Sequence, residues 1–281
     1  MTAILLSLVS AAAYGTSDFL GGRAAARLPP WTVSLVSNLV GGLICAIVAL
    51  GRGGSLTAAD LGWAVVAAAG NVVGSTFLYR GMTTGRMGVV APVSGVCAAL
   101  IPAIVGVAVG ERPGITALVG VALALPAIWL VSIQPPVTHE RPPSRAATGL
   151  TDGLIAGAGF GVLFVALAQA SADSGLWPVA LNQLLAAILI VALAAALGAP
   201  VRPRRERALT ASAAGALGTA ATVAFLLATR HGYLTVTSVI SALYPAATVL
   251  LAAAVLREHI GRPQALGLGL CAAAVALVAA S

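Results

Sequence analysis

One acidic side chain, Asp18, lies inside a long apolar stretch and is the residue in this sequence best placed for chemistry. A charge inside a bilayer costs a few kcal/mol or more, so such a residue usually has a functional partner. The amine of a ligand or a transported proton would each give Asp18 that partner. Arg23 follows five residues later, about 7.5 Å along a helix, so a position at the interface beside this cation is the alternative interpretation.

Uncharged polar side chains inside the apolar stretches form a second group of candidates. Asn and Gln are costly in lipid unless paired, so each one either lines a wet pathway or bonds a neighbouring helix. Together they predict a mildly polar cavity, suited to a neutral, zwitterionic or amphipathic metabolite and unsuited to a polyanion. The candidate cavity residues are Tyr14, Ser17, Asp18, Asn38, Asn71, Ser75, Tyr79, Ser94, Gln169, Asn182, Gln183, Ser241 and Tyr244.

Signatures of catalysis and of metal binding are absent from the sequence. It contains no His-Glu-x-x-His, Gly-x-Ser-x-Gly or phosphate-loop motif. The three cysteines, Cys45, Cys97 and Cys271, each lie in an apolar run, with spacings that fit neither a metal site nor a disulfide framework. We therefore expect no enzyme activity, no cofactor and no metal ion.

The composition indicates a membrane protein. Hydrophobic residues make up 59% of the chain and charged residues 8%, whereas a soluble domain carries about 25% charged residues. The 15 cations are all arginines in short connections, without the basic, aromatic-rich stripe of a nucleic-acid surface. The apolar N-terminus lacks the positive start of a signal peptide, so we interpret it as a retained first helix. The partner is then the lipid bilayer of the cell membrane, and no nucleic acid is expected.

Hydrophobic patterning predicts ten membrane-spanning helices and an all-α integral membrane fold. A Pro-rich linker, Gln134–Gly149, separates five of these segments from the other five. The predicted segments are Thr2–Gly22, Trp31–Leu50, Leu61–Tyr79, Met87–Gly110, Gly114–Ile133, Gly153–Ala172, Leu176–Ala199, Ala208–Thr229, Leu234–Leu256 and Gln264–Ser281.

The two halves repeat one pattern. An offset of 147 residues places Glu111 on Glu258 and Ser94 on Ser241. Because each unit holds an odd number of spans, the second must cross the membrane in the opposite sense, which is the inverted-repeat plan of many secondary transporters. The predicted organisation is a first repeat over 1–133, a linker over 134–149 and a second repeat over 150–281, with the site between the halves.

Two kinds of residue mark the fourth and ninth segments. Pro92, Pro102 and Pro245 each remove a helical hydrogen bond, so we predict hinges there, with static kinks as the alternative. Glu111 and Glu258 follow the ends of these segments. We interpret both as helix-terminating residues beside arginines, because charge costs little at helix ends, and the alternative is a gate or a loop contact at the cavity mouth.

The chain resembles the EamA family of the drug/metabolite transporter superfamily. The resemblance rests on the motif Tyr14-Gly15-Thr16-Ser17, on Pro245 thirteen residues before Glu258, and on the doubled five-helix pattern. The first repeat departs from it, because Ala98 occupies the position that matches Pro245. The resemblance implies a ten-helix transporter with a central cavity that moves small metabolites such as amino acids, often outward, and protons are a candidate coupling ion.

The function class and the orientation in the membrane each have two interpretations. A lipid flippase-like protein or a structural subunit is the alternative to a transporter of soluble molecules. If both termini face the cytoplasm, as the resemblance suggests, the inner loops hold only Arg52, Arg112 and Arg230, and the outer loops hold the other twelve arginines. The positive-inside rule assigns the opposite orientation.

Overall fold

The fold is entirely helical over the residues that the computed structural model describes, which are 1–25, 28–83, 87–133, 146–199 and 205–281. Ten stretches are long and apolar enough to cross a membrane, which confirms the predicted number of spans. The helices are α1 (Thr2–Ala25), α2 (Pro30–Arg52), α3 (Ala58–Thr83), α4 (Met87–Ala108), α5 (Ile115–Ser132), α6 (Ala146–Ala168), α7 (Trp177–Ala196), α8 (Arg205–Thr229), α9 (Leu234–Ser241), α10 (Tyr244–Leu256) and α11 (Arg262–Ala279), with a 3-10 turn over Ala172–Ser174.

The ninth predicted segment is broken where a continuous helix was expected. The helix α9 ends at Ser241, and α10 begins at Tyr244 with Pro245 in its first turn. Proline has no N–H, so the carbonyl of Ser241 cannot receive the helical bond from four residues ahead. The helix therefore stops four residues before the proline and restarts around it.

The fourth segment responds differently to its prolines. The helix α4 is continuous through both Pro92 and Pro102. Ala98 keeps an N–H at the position where the ninth segment has Pro245, which gives a physical reason why the corresponding point of α4 is unbroken. The predicted hinge role of the three prolines concerns motion and stays a prediction.

The linker region begins its helix earlier than expected. Residues 134–145 of the predicted linker lie outside the described residues, and α6 starts at Ala146, seven residues before the predicted Gly153. The predicted start followed the apolar run alone, and the small and polar residues before it extend the helix beyond the candidate span, which begins at Gly149.

The main helix contacts join the two halves of the chain. The helix α1 packs on α8, and the equivalent pair α3 and α6 packs in the same way. The helices α2 and α7 form a third pair, and α5 and α11 a fourth. This pairing of equivalent helices across the two halves is the arrangement expected of a duplicated unit. The inversion of the second copy stays a prediction. Any space at the centre of the bundle is therefore walled by both halves.

The α3–α6 pair approaches to backbone contact. An added Cβ at Gly159 would lie 2.5 Å from the amide nitrogen of Gly74, and one at Gly70 would lie 2.6 Å from the carbonyl oxygen of Gly159. Small residues four apart are the usual means by which membrane helices approach so closely. This packing fixes the position of the α3 side chains that face the bundle centre.

The bundle has two ends, which are named here by the segments that they carry. We call one the terminal end; it carries both chain termini and the connections that follow α2, α4, α6 and α8. We call the other the linker end; it carries the connections that follow α1, α3, α5, α7 and α10. Contacts between loops, described below, support this division.

Candidate functional site

A cavity of about 190 Å³ lies at the centre of the bundle, between the two halves. Nine of the thirteen predicted cavity residues line it, namely Tyr14, Ser17, Asp18, Asn38, Asn71, Ser75, Asn182, Gln183 and Tyr244. The apolar part of the wall is formed by Leu78, Ala98, Phe160, Leu163 and Phe164, and the remainder by α8 and the start of α2. The structure therefore brings most of the predicted candidates together.

Four predicted residues are placed elsewhere or are not described. Ser94 and Ser241 are buried away from the cavity, and neither hydroxyl has a hydrogen-bond partner within the described ranges. Gln169 follows α6 at the terminal end and is exposed. The side chain of Tyr79 lies outside the described residues.

Sequence reasoning missed four hydroxyl residues of the wall. Ser34, Ser37, Thr219 and Thr222 line the cavity. Ser and Thr in membrane helices commonly bond their own backbone, as Thr222 does to the carbonyl of Gly218 at 2.8 Å, so their presence in an apolar stretch carries little signal. Their proximity in space to Tyr14 and Gln183 was the information that the sequence lacked.

Asp18 lies on the cavity wall and is exposed. In the part of the chain that the structure describes, no side chain forms an ion pair or a hydrogen bond with its carboxylate. The guanidinium of Arg23 lies over the ring of Phe19 instead, 5.9 Å from its centre. Asp18 and Arg23 form no ion pair, and the alternative position of Asp18 at the interface stays a prediction.

Aromatic rings flank this carboxylate. The ring of Tyr14 lies one helical turn before Asp18, with its centre 6.2 Å from that of Tyr244 and 6.1 Å from that of Phe164. The Tyr14 hydroxyl lies 2.8 Å from Oγ1 of Thr222, which fixes the ring against α8. A carboxylate beside aromatic faces is an arrangement that attracts a positively charged ligand group.

Amide side chains form another part of the wall. Asn71 donates to Oδ1 of Asn38 at 3.0 Å, which joins α3 to α2. Thr219 donates to Oε1 of Gln183 at 2.9 Å, which joins α8 to α7. These residues hold helices together and line the cavity at once. Oδ1 of Asn182 is buried without a partner among the described residues, and it is an acceptor available to a ligand or a water.

The connections at the terminal end are tied together around Asp60. Its carboxylate accepts from the amide of Ser171 at 2.7 Å and from the Ser171 hydroxyl at 2.9 Å, and it also accepts from the amide and hydroxyl of Thr57. A further backbone bond runs from Ser55 to Asp173 at 2.9 Å. The connection after α2 is thereby joined to the connection after α6.

Arg230 extends this arrangement to the connection after α8. Its guanidinium donates to the carbonyls of Ser171 at 3.1 Å and Gly175 at 3.0 Å. Burial lowers the pKa of this guanidinium, and the nearby Asp60 carboxylate raises it. Ser171 thus lies between the two opposite charges, with its amide and hydroxyl on Asp60 and its carbonyl on Arg230.

At the same end, Glu111 joins the turn after α4 to the first turn of α9. Its carboxylate accepts from the amides of Leu234 at 2.6 Å and Thr235 at 2.8 Å, and from the Thr235 hydroxyl at 2.6 Å. Glu111 thus follows the end of α4 and also contacts α9, and its predicted role as a gate stays a prediction. Glu258 is exposed and makes no such contact with the described residues.

The linker end shows one ion pair among the described residues, between Arg80 and Asp152. It joins the end of α3 to the start of α6, and the guanidinium also lies 4.2 Å from the centre of the Phe77 ring. The side chain of Arg80 is 56% exposed and that of Asp152 is 4% exposed. This contact fastens α3 to α6.

Comparison with known proteins identifies the family. The sequence model of the EamA-like transporter family matches residues 1–133 and 147–280, which is nearly all of the chain in two copies. The chain belongs to the EamA-like transporter family. This EamA-like chain is also 29% identical over 138 residues to an uncharacterised protein of Methanocaldococcus jannaschii, with 47% of the chain aligned to 98% of that protein.

A solved crystal structure has the same fold as the EamA-like chain. The two superpose with a TM-score of 0.79 at 19% identity, over 98% of this chain and 95% of the other. The expected family is confirmed, and the protein is a multi-pass integral membrane transporter, consistent with the predicted location in the cell membrane. The lipid bilayer and a small-molecule substrate are the partners that follow from this membership.

Proposed function

We propose that this EamA-like protein is a secondary transporter that exports a small neutral, zwitterionic or amphipathic metabolite by alternating access, with amino acids as the leading candidates. The observation that carries the proposal is the cavity between the halves, whose wall holds a single carboxylate without a protein partner in the described ranges. Because an isolated charge in a membrane protein is costly, a ligand cation or a proton is its natural partner.

The chemistry of the wall supports the substrate class. Asp18 and the rings of Tyr14 and Tyr244 suit an ammonium group, and the amides of Asn38 and Asn182 suit a polar or carboxylate group. The apolar side chains of Leu78 and Phe160 can cover an aliphatic or aromatic part of the substrate. No described cation lines the cavity, so a polyanion would find no complementary charge.

The polar wall also favours a transporter of soluble molecules over the alternative. A lipid flippase-like protein would need an apolar path that opens sideways to the bilayer, and a structural subunit would need no cavity. The cavity instead carries hydroxyl and amide groups from α1, α2, α3, α7 and α8. We infer that the polar lining serves a hydrated substrate.

The test is uptake into inverted and right-side-out vesicles, with a labelled amino-acid and metabolite panel, with and without a pH gradient. Asp18→Asn removes the charge and keeps the size, so we expect uptake of the amine substrate to fall roughly tenfold or more, as for loss of a charge-assisted hydrogen bond. Asp173→Asn is the matched control, because Asp173 is exposed at the terminal end, away from the cavity.

The outcomes separate the roles of Asp18. Uptake that needs the gradient and fails in Asp18→Asn would assign it to proton coupling. Gradient-independent uptake that fails in Asp18→Asn only for substrates with an amine would assign it to amine binding. Uptake unchanged in Asp18→Asn would remove Asp18 from the proposal, and transport of a phosphorylated sugar would overturn the substrate class. Scrambling of labelled lipid, without uptake of any soluble compound, would favour the flippase-like alternative.

A further inference from the structure

The bond between Glu111 and α9 is a complete helix cap. Three donors at the first turn of α9 converge on one carboxylate, and α9 is eight residues long. The partial positive charge of a helix N-terminus favours an anion there. Gly106 leaves the space for this carboxylate, because an added Cβ would collide with Oε2 of Glu111 and lie 2.5 Å from Oγ1 of Thr235.

The turn that presents this carboxylate is repeated in the second half. Gly110 precedes Glu111 with a φ of 100°, and Arg257 precedes Glu258 with a φ of 58°. Arg257 is the one non-glycine with positive φ in the part of the chain described. Left-handed backbone is unfavourable for a residue with a Cβ, so its presence at the equivalent position indicates that the turn itself has been kept.

The repeat also identifies the equivalent target. The offset of 147 that relates Glu111 to Glu258 relates Leu234 and Thr235 to Met87 and Gly88, the first two residues of α4. This helix begins at the linker end, where Glu258 also lies. Glu258 is exposed, and its carboxylate forms no hydrogen bond or ion pair with the described residues, so the second cap is absent there while the first is formed.

We propose that Glu111 and Glu258 cap alternate helices in the transport cycle: Glu111 caps α9 while the terminal end is closed, and Glu258 caps α4 while the linker end is closed. This inference rests on the proposed alternating access and names the contacts that exchange in it. Each cap holds the first turn of one of the two segments that cross the cavity region. Release of one cap and formation of the other moves the closed end from one side of the membrane to the other.

Two differences between the copies favour the Glu111 cap. Gly88, at the position equivalent to Thr235, has no hydroxyl to donate to the carboxylate. The residue equivalent to Gly106 is Ala253, which places a methyl group where the first copy leaves space for the carboxylate. The Glu258 cap is therefore more crowded than the Glu111 cap. Without substrate, the state with α9 capped is then the more populated one.

The test is hydrogen exchange of the full-length protein in lipid nanodiscs, followed in peptides from the first turns of α9 and α4. In Glu111→Ala we expect exchange at Leu234–Ser238 to become roughly tenfold faster, since the cap donors open, and exchange at Met87–Val90 to become slower. In Ala253→Gly we also expect faster hydrogen exchange at the start of α9 and slower exchange at the start of α4, with smaller changes in both. Asp173→Ala, an exposed acid at the terminal end, is the matched control.

The Glu258 variants test whether the two caps alternate. Glu258→Ala should leave α9 protected, and in the double variant Glu111→Ala, Glu258→Ala the slowing at α4 should disappear. Faster exchange at α9 without slower exchange at α4 would make Glu111 a local cap only and would overturn the proposal. Slowing at α4 that persists in the double variant would also overturn it. None of these measurements needs the substrate, so their failure is distinguishable from a failure of the uptake experiment.

Discussion

The terminal end and the linker end of the bundle are built from the same repeat, and the contacts between the described residues at each end are of different kinds. At the terminal end, hydrogen bonds join the connections after α2, α6 and α8, and Glu111 joins α4 to α9. At the linker end, where residues 26–27, 84–86, 134–145 and 200–204 lie outside the described ranges, an ion pair between Arg80 and Asp152 fastens α3 to α6. Bonds between connections can seal an end, and the terminal end has such bonds.

The exposure of individual wall residues also differs along the bundle. Phe164, Asn182 and Thr222, which lie toward the terminal ends of their helices, are buried, whereas Asp18, in the part of α1 toward the linker end, is exposed. Water therefore reaches Asp18 more easily than it reaches the deeper wall. The comparison teaches that two ends built from one repeated sequence can use different kinds of contact, and the predictions below change one end at a time.

The largest expected effect is at Asp60. Asp60→Ala removes the acceptor of four hydrogen bonds and leaves the amide of Ser171 without its partner. Buried donors left unpaired cost about 1–3 kcal/mol each, so we expect a loss of about 3 kcal/mol in the free energy of unfolding, measured as a lower midpoint of thermal unfolding in detergent. Asp173→Ala is the control and should leave the midpoint unchanged, because Asp173 bonds Ser55 through its backbone carbonyl. An unchanged midpoint in Asp60→Ala would mean that the terminal end is not held by this carboxylate.

A smaller effect is expected at Gly106. Gly106→Ala places a methyl group against the carboxylate of Glu111 while both cap partners remain in the chain. Overpacking of this kind costs roughly 1–3 kcal/mol, so we expect a loss of about 2 kcal/mol in the free energy of unfolding, measured as a lower midpoint of thermal unfolding in detergent, and faster hydrogen exchange at Leu234–Ser238. Gly62→Ala is the matched control, since its added methyl group meets nothing within 4 Å. Equal behaviour of the two variants would show that the cap tolerates the crowding and is not strained by it.

Much of the fold and part of the site could be predicted from the sequence. Length and hydropathy specify the spans, because a helix in lipid must satisfy its own backbone bonds over the whole thickness of the bilayer. Asp18 and the amides of Asn38 and Gln183 could be selected as wall residues, since polar groups in a span need water or a partner. These are arguments about single residues and their solvent, and they do not require knowledge of which helices are neighbours.

Predicting the contacts at the terminal end would have required knowledge of which helices are neighbours. Asp60 and Glu111 fell at helix ends, where charge costs little, so sequence gave no reason to prefer a contact with Ser171 or Thr235 over simple exposure. The break after Ser241 depends on a single proline in an otherwise uniform apolar run. Ser94 and Ser241 were selected by the same polarity rule as Ser17, and only the direction of each helix face separates them from the cavity.

The smallest effect is expected at the linker end, where it tests the comparison most directly. Arg80→Met removes the ion pair with Asp152 and keeps the aliphatic stem that packs along the helix. More than half of the Arg80 side chain is exposed, which weakens the pair, but the buried Asp152 carboxylate loses its partner, so we expect a loss of about 1.5 kcal/mol in the free energy of unfolding. A double-mutant cycle with Asp152→Asn isolates the pair from the other contacts of Arg80. A coupling as large as the loss in Asp60→Ala would mean that both ends are tied equally, and the asymmetry between them would then reside in the caps alone.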